Sequence, residues 1–134
     1  MLKHINKRHG GFTLVEIMIV VAIIALLAAI AVPGFLRARK RSQATRILND
    51  LRMIDSAVDQ YAIETNRASG AGVTFTDWKA YLKQGTMLYN TGNDILNNPY
   101  GSQTVDTLPS CPHSSFLALS DVAPTSFWSP YSAN

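Results

Sequence analysis

Residues 17–32 are sixteen apolar side chains in an unbroken run. Extended outward, residues 12–36 hold a single charge, Glu16. As α-helix these 25 residues reach about 37 Å, more than the ~30 Å hydrocarbon core of a bilayer. A stretch of this length and composition is expected to cross a membrane once. What remains of the 134 residues suffices for one small domain at most.

The span changes how the charge is weighed. Twelve Lys and Arg stand against nine Asp and Glu. Three of the basic residues, Lys3, Lys7 and Arg8, precede the span. Without them the two signs balance, so the basic excess belongs to the N-terminal eleven residues and gives a nucleic-acid reading no footing. Basic residues before the span and a long polar tract after it favour a cytoplasmic N-terminus, although Arg37, Arg39, Lys40 and Arg41 on the far side oppose that bias. Cys111 is the only cysteine, so an internal disulfide, a thiolate metal cluster and a CxxC redox site are all excluded.

Four segments follow. Residues 1–11 are a short basic leader ending in Gly10 and Gly11, and residues 12–36 are the apolar span, interrupted by Pro33 and Gly34. Proline removes a backbone donor and crowds the preceding turn, so a kink or local opening is expected there. Residues 37–67 continue as an amphipathic helix. Ile47, Leu51, Ile54, Val58 and Tyr61 recur at spacings of four and three and form one stripe, with Arg46 and Asp50 paired on the polar side. The stripe lasts barely two heptads, which is short for a coiled coil.

Residues 68–134 have a different texture, punctuated by glycine and proline. Thr76 would cap a short helix over residues 77–84, with Gly85 as its stop and Trp78, Tyr81 and Leu82 on its apolar face. Residues 104–108 and 115–119 are expected strands. So short a region buries little core alone. It is therefore expected to pack on the helix stripe, bringing Trp78, Phe116, Leu119, Phe127 and Trp128 against Ile47, Leu51, Ile54 and Val58.

The most informative residues are Gly11-Phe12-Thr13-Leu14-Val15-Glu16. Gly11 has no side chain, so a protease cleft can approach that backbone closely. Glu16 is an ionisable group just inside an apolar helix, costly without a partner. Cutting after Gly11 would create a positive amine on Phe12, four residues before that carboxylate. A secretory signal peptide with a small-residue site at Ala29-Ile30-Ala31 shares the basic start and apolar run. The length of the run, the internal glutamate and the helix period continuing past that site argue against it. A plain single-span anchor leaves Glu16 unexplained.

The run from Gly11 through Ile24, with Pro33 and Gly34, resembles the class III signal of type IV pilins and type II secretion pseudopilins. The resemblance covers residues 8–35 and weakens toward Tyr61. It implies an α+β, pilin-like fold: a long N-terminal helix, transmembrane in its first half, with a small antiparallel sheet against its amphipathic second half. It implies cleavage between Gly11 and Phe12 by a membrane prepilin peptidase, and methylation of the new Phe12 amine by the same enzyme. Glu16 matches the glutamate that guides docking into a growing filament. Pro33, beside Gly34, matches the proline where the helix loosens in the fibre. The implied partners are that peptidase, an inner-membrane assembly platform, the lipid bilayer, and other copies with minor pilins or pseudopilins. The implied location is the bacterial inner membrane as a single-pass precursor, then a periplasmic or cell-surface filament.

The chain departs from the family pattern in places. Many pilins close a C-terminal loop with two cysteines, and Cys111 has no companion. Asn98-Pro99-Tyr100-Gly101 only faintly echoes an Asp-Pro-Trp-Gly segment of secretion pseudopilins. Asp106 and Asp121 stand isolated where a calcium loop would gather several oxygens, so no cofactor is expected. His113, beside Ser114 and Ser115, has no acid to complete a catalytic set and is expected on a surface loop, so the chain is not expected to be an enzyme. The cluster at residues 37–41 has two readings, a headgroup-facing stretch or a set of partners for acids on neighbouring subunits. The alternative to a filament subunit is a membrane-tethered accessory or binding protein that never polymerises.

Overall fold

Helix α1 runs Leu14–Thr65, 52 residues with Pro33 inside. The computed structural model to which it belongs describes residues 10–133. The first nine residues of the expected leader, Lys3, Lys7 and Arg8 among them, lie outside the described residues. The chain divides into two units, Met1–Leu36 and Arg37–Asn134.

In the first unit every described residue is exposed. The helix assignment continues unbroken through Pro33 and Gly34.

The second unit is mixed α+β. After α1 come β1 (Gly72–Val73), α2 (Phe75–Lys79), α3 (Met87–Thr91), β2 (Gln103–Thr104), β3 (Ser110–Cys111), α4 (His113–Leu119), a 3₁₀ turn (Thr125–Trp128) and β4 (Ser132–Ala133). β1 pairs antiparallel with β2, Gly72 opposite Thr104. β3 pairs in parallel with β4, Ser110 opposite Ser132. The small antiparallel sheet is therefore one two-residue pair, accompanied by a parallel pair that the sequence reading did not anticipate.

The stripe of α1 organises this unit. Ile47, Leu51 and Ile54 are fully buried, with Val58 and Tyr61 close behind. Trp78, Leu119 and Trp128 are buried in the same core, and Phe116 and Phe127 pack at its edge. All five expected partners thus reach the core. α1 stops at Asn66, whose positive φ of 52° turns the chain while the Arg67 N–H bonds back to the Ala62 carbonyl at 3.0 Å.

Local assignments shift where short-range chemistry was misread. α2 begins at Phe75, because Asp77 accepts from both the backbone N–H and the hydroxyl of Thr74. Thr74, rather than Thr76, therefore starts the helix. The helix ends at Lys79, short of the expected residue 84. The expected strand at 115–119 is helical, part of α4. Pro112 sets the first turn, and Ser115 and Leu119, four apart, share the buried face. Of the expected strand 104–108 only Thr104 belongs to β2. Val105 still bonds through its backbone to Gly70 and Ala71, and Asp106, at φ 60°, then turns the chain away. Gly92 ends α3 with φ 68°, and a Cβ there would stand 2.8 Å from the Phe75 ring. Both the backbone angle and the close ring require glycine.

Polar contacts tie the later segments to α1. Tyr100 donates to Asp50 at 3.2 Å, Tyr81 to Glu64 at 2.6 Å and Tyr131 to Asp55 at 3.5 Å. The first contact corrects the placement of Asp50, which is buried rather than on the polar side. Burial pushes the Asp50 carboxyl up from 3.8 to about 6, against the lowering effects of the Tyr100 bond and Arg46. A carboxyl raised on folding binds its proton more tightly in the folded state. Its deprotonation therefore destabilises the fold as pH rises from about 4 to about 6, by up to about 3 kcal/mol. In Asp50→Asn that part of the loss is expected to disappear from thermal melts across this window. An identical pH dependence in wild type and variant would contradict the assignment.

Candidate functional site

The bond between Gly11 and Phe12 lies outside secondary structure, three residues before α1. Both residues are exposed, and among the described residues nothing approaches within 4 Å of where a Gly11 side chain would begin. A cleft can thus reach this backbone without unwinding a helix.

Glu16 has a local partner that sequence reasoning missed. The Thr13 N–H donates to Glu16 Oε2 at 3.0 Å, and the Glu16 N–H donates to Thr13 Oγ1 at 3.3 Å. This reciprocal pair is a capping box, and its signal was legible as Thr-x-x-Glu ahead of an apolar run. The carboxylate also sits in the first helical turn, where the helix dipole favours a negative charge. Its oxygens point back at the turn in which a cut after Gly11 would leave an amine, one residue before the Thr13 nitrogen.

Past the cap, α1 is long and apolar enough to cross a membrane, and none of its apolar window is buried among the described residues. Ile17, Val20, Ile24, Leu27 and Ile30 are about half or more exposed, and Pro33 and Gly34 lie uncovered further on. The structure brings Thr13 and Glu16 together and leaves Pro33 and Gly34 about 25 Å further along the axis, at 1.5 Å per residue.

Other candidates resolve differently. His113 is exposed at the first position of α4 rather than in a loop. Cys111 is buried and free, its thiol pushed up to about 12 by burial and by the charge of Asp94. A thiol so placed forms little thiolate and is withdrawn from disulfide exchange between subunits. Asp106 and Asp121 do not converge, and the described residues include no group of three or more His, Cys, Asp or Glu able to hold a metal. Asn98 donates through its side chain to Ser115, and Ser115 to the buried Asp94, so the Asn98-Pro99-Tyr100 segment has a structural role. Lys40 pairs with Asp121 of its own chain at 3.0 Å, which takes one cation of the basic cluster away from any neighbour.

The family model described as the prokaryotic N-terminal methylation motif matches residues 6–32. The chain is 44% identical over 64 residues to the type IV major pilin protein PilA of Myxococcus xanthus, covering 48% of this chain and 29% of that protein. It is 33% identical over 97 residues to the type IV major fimbrial protein FimA of Dichelobacter nodosus, covering 72% of this chain and 53% of that protein. It is also 31% identical over 62 residues to the type II secretion system core protein G of Aeromonas hydrophila, covering 46% and 43%. The chain thus spans about half or less of the length of these relatives. No solved structure matches it. The chain thus carries the N-terminal methylation motif and is similar to type IV pilins and to a type II secretion system core protein.

Proposed function

We propose that this chain is a structural subunit of a type IV pilus-like filament or a type II secretion pseudopilus, made as a membrane precursor and polymerised through α1. The observation that carries this reading is the conjunction of a methylation motif with an apolar helix segment whose described residues are exposed. A membrane covers such a surface before assembly, and neighbouring copies cover it in a fibre.

The leader stays cytoplasmic, and the polar unit stands on the other side of the inner membrane. A prepilin peptidase cuts between Gly11 and Phe12 and methylates the Phe12 amine. Glu16 draws the incoming subunit into register through its charge, and Pro33 with Gly34 is where the helix loosens once lipid is replaced by protein. Proline leaves one carbonyl of α1 without its usual donor, so that turn has the least to lose on opening.

Processing is tested with Gly11→Val. The branched side chain enters the cleft where none was present, so uncut precursor is expected to accumulate in the membrane and fibres to be absent. The measurement is a blot resolving precursor from cut subunit. Normal cutting of the variant would contradict the assigned bond.

A further inference from the structure

Four cations fall within the five residues 37–41, directly after the last residue of the apolar segment. Two are held by the chain itself. Lys40 Nζ donates to both carboxylate oxygens of Asp121, at 3.1 and 3.0 Å. The Arg41 guanidinium lies over the Phe127 ring, 5.7 Å from its centre. The first contact uses the negative charge of Asp121, and the second positions a guanidinium without neutralising it.

Between these contacts lies a groove of about 270 Å³ lined by Arg37, Ala38, Arg41, Asp121 and Val122. Arg37 and Arg41 are four residues apart on α1, hence on one face and about 6 Å apart along the axis. Like charges so placed repel. Asp121 sits in the groove, and Arg37 and Lys40 both hold its carboxyl below the usual range. With Lys40, Arg37 and Arg41 against Asp121, the groove keeps an excess of two positive charges. An oxyanion that can accept from two guanidinium forks relieves the repulsion, and a phosphate diester has that shape.

We propose that the Arg37–Arg41 groove binds the phosphate of an anionic phospholipid headgroup, in the leaflet where the apolar segment ends. The proposal rests on the membrane-spanning reading of residues 12–36. Arg37 follows that segment directly, which is where headgroup phosphates lie. It also accounts for basic residues on the side of the span that the charge bias disfavours, because a bound phosphate offsets them there. Arg39 is exposed and does not line the groove, and it serves as the control.

The test is lipid binding to the full-length processed chain in neutral detergent, followed by native mass spectrometry. Phosphatidylglycerol and phosphatidylcholine with the same acyl chains are titrated separately, with equimolar inorganic phosphate as a further arm. Phosphatidylglycerol is expected to bind more tightly than phosphatidylcholine and to resist displacement by free phosphate. Each of Arg37→Gln and Arg41→Gln is expected to weaken its binding about fivefold, as loss of one surface cation does. Arg39→Gln should leave it nearly unchanged. Arg37→Lys with Arg41→Lys keeps the charge and loses the forks, so it should fall between wild type and the glutamine variants. Equal binding of the two lipids, displacement by equimolar phosphate, or a loss in Arg39→Gln matching that in Arg37→Gln overturns the proposal. Retention of the chain in membranes after alkaline carbonate washing tests the span separately. Extraction would remove the span itself, whereas retention with indifference to lipid charge removes only the groove.

Discussion

Glu16→Gln is expected to give normal amounts of cut subunit and few or no filaments. The substitution isolates charge. Glutamine at the third helical position also serves a capping box, so the Thr13 contacts that start α1 are retained. The bond proposed to be cut is untouched, and removing a charge near the membrane favours insertion. What would disappear is the counter-charge for the amine that the proposed cut leaves on Phe12. That amine would arise beside the turn that holds the carboxylate, so one subunit could hold the pair while it waits in the bilayer. In a packed helix bundle a neighbour shifted by about 6 Å, the rise of four residues, brings its amine level with Glu16. Water is scarce there, so breaking the pair leaves a buried unpaired charge and costs several kcal/mol. Filament counts by electron microscopy beside a blot for cut subunit measure the effect. Normal fibres built from Glu16→Gln protein alone would replace the charge pair with plain apolar packing as the assembly force.

Leu51→Ala is expected to destabilise the unit Arg37–Asn134 by about 2–5 kcal/mol, because Leu51 is fully buried at the centre of the stripe. In a unit of this size that lowers the melting temperature by roughly 10 °C or more. Ile63 lies on the same helix but is 81% exposed, so Ile63→Ala should shift stability by no more than about 0.5 kcal/mol. A soluble form beginning at Arg37, followed by circular dichroism on heating, reads both. Equal melting temperatures for wild type and Leu51→Ala would show that the later segments do not pack on this stripe.

The long helix was legible because its two signals are strong and local. Sixteen consecutive apolar residues mark the span, and the spacing of Ile47, Leu51, Ile54, Val58 and Tyr61 marks the buried face. The same spacing places Asp50 three residues after Ile47 and four before Ile54, inside the stripe rather than opposite it. Its burial was therefore available to counting. Its partner was not, because Tyr100 lies fifty residues away and nothing local ties the two. The contacts of Tyr81 with Glu64 and Tyr131 with Asp55 are of the same long-range kind. The strands failed for another reason. Each is two residues long, too short for alternation to register. Residues 115–119 hold leucine, alanine and phenylalanine, compatible with either state, and Pro112 with the buried Ser115 decides for helix. At the N-terminus the proposed roles of Gly11, Phe12 and Glu16 rest on residue types together with the family resemblance. The capping role of Glu16 was legible, and was obscured by reading the glutamate only as an anomaly in an apolar run.

The central claim is that fibres are built from this chain after it is cut at Gly11 and methylated at Phe12. Intact mass and N-terminal sequencing of subunits from fibres sheared off cells test it most directly. The expected subunit begins at Phe12, and its N-terminal peptide is heavier than its sequence by one methyl group. A fibre subunit that retains Met1, or a cell-associated chain that begins at Val32 with no fibres present, would contradict it.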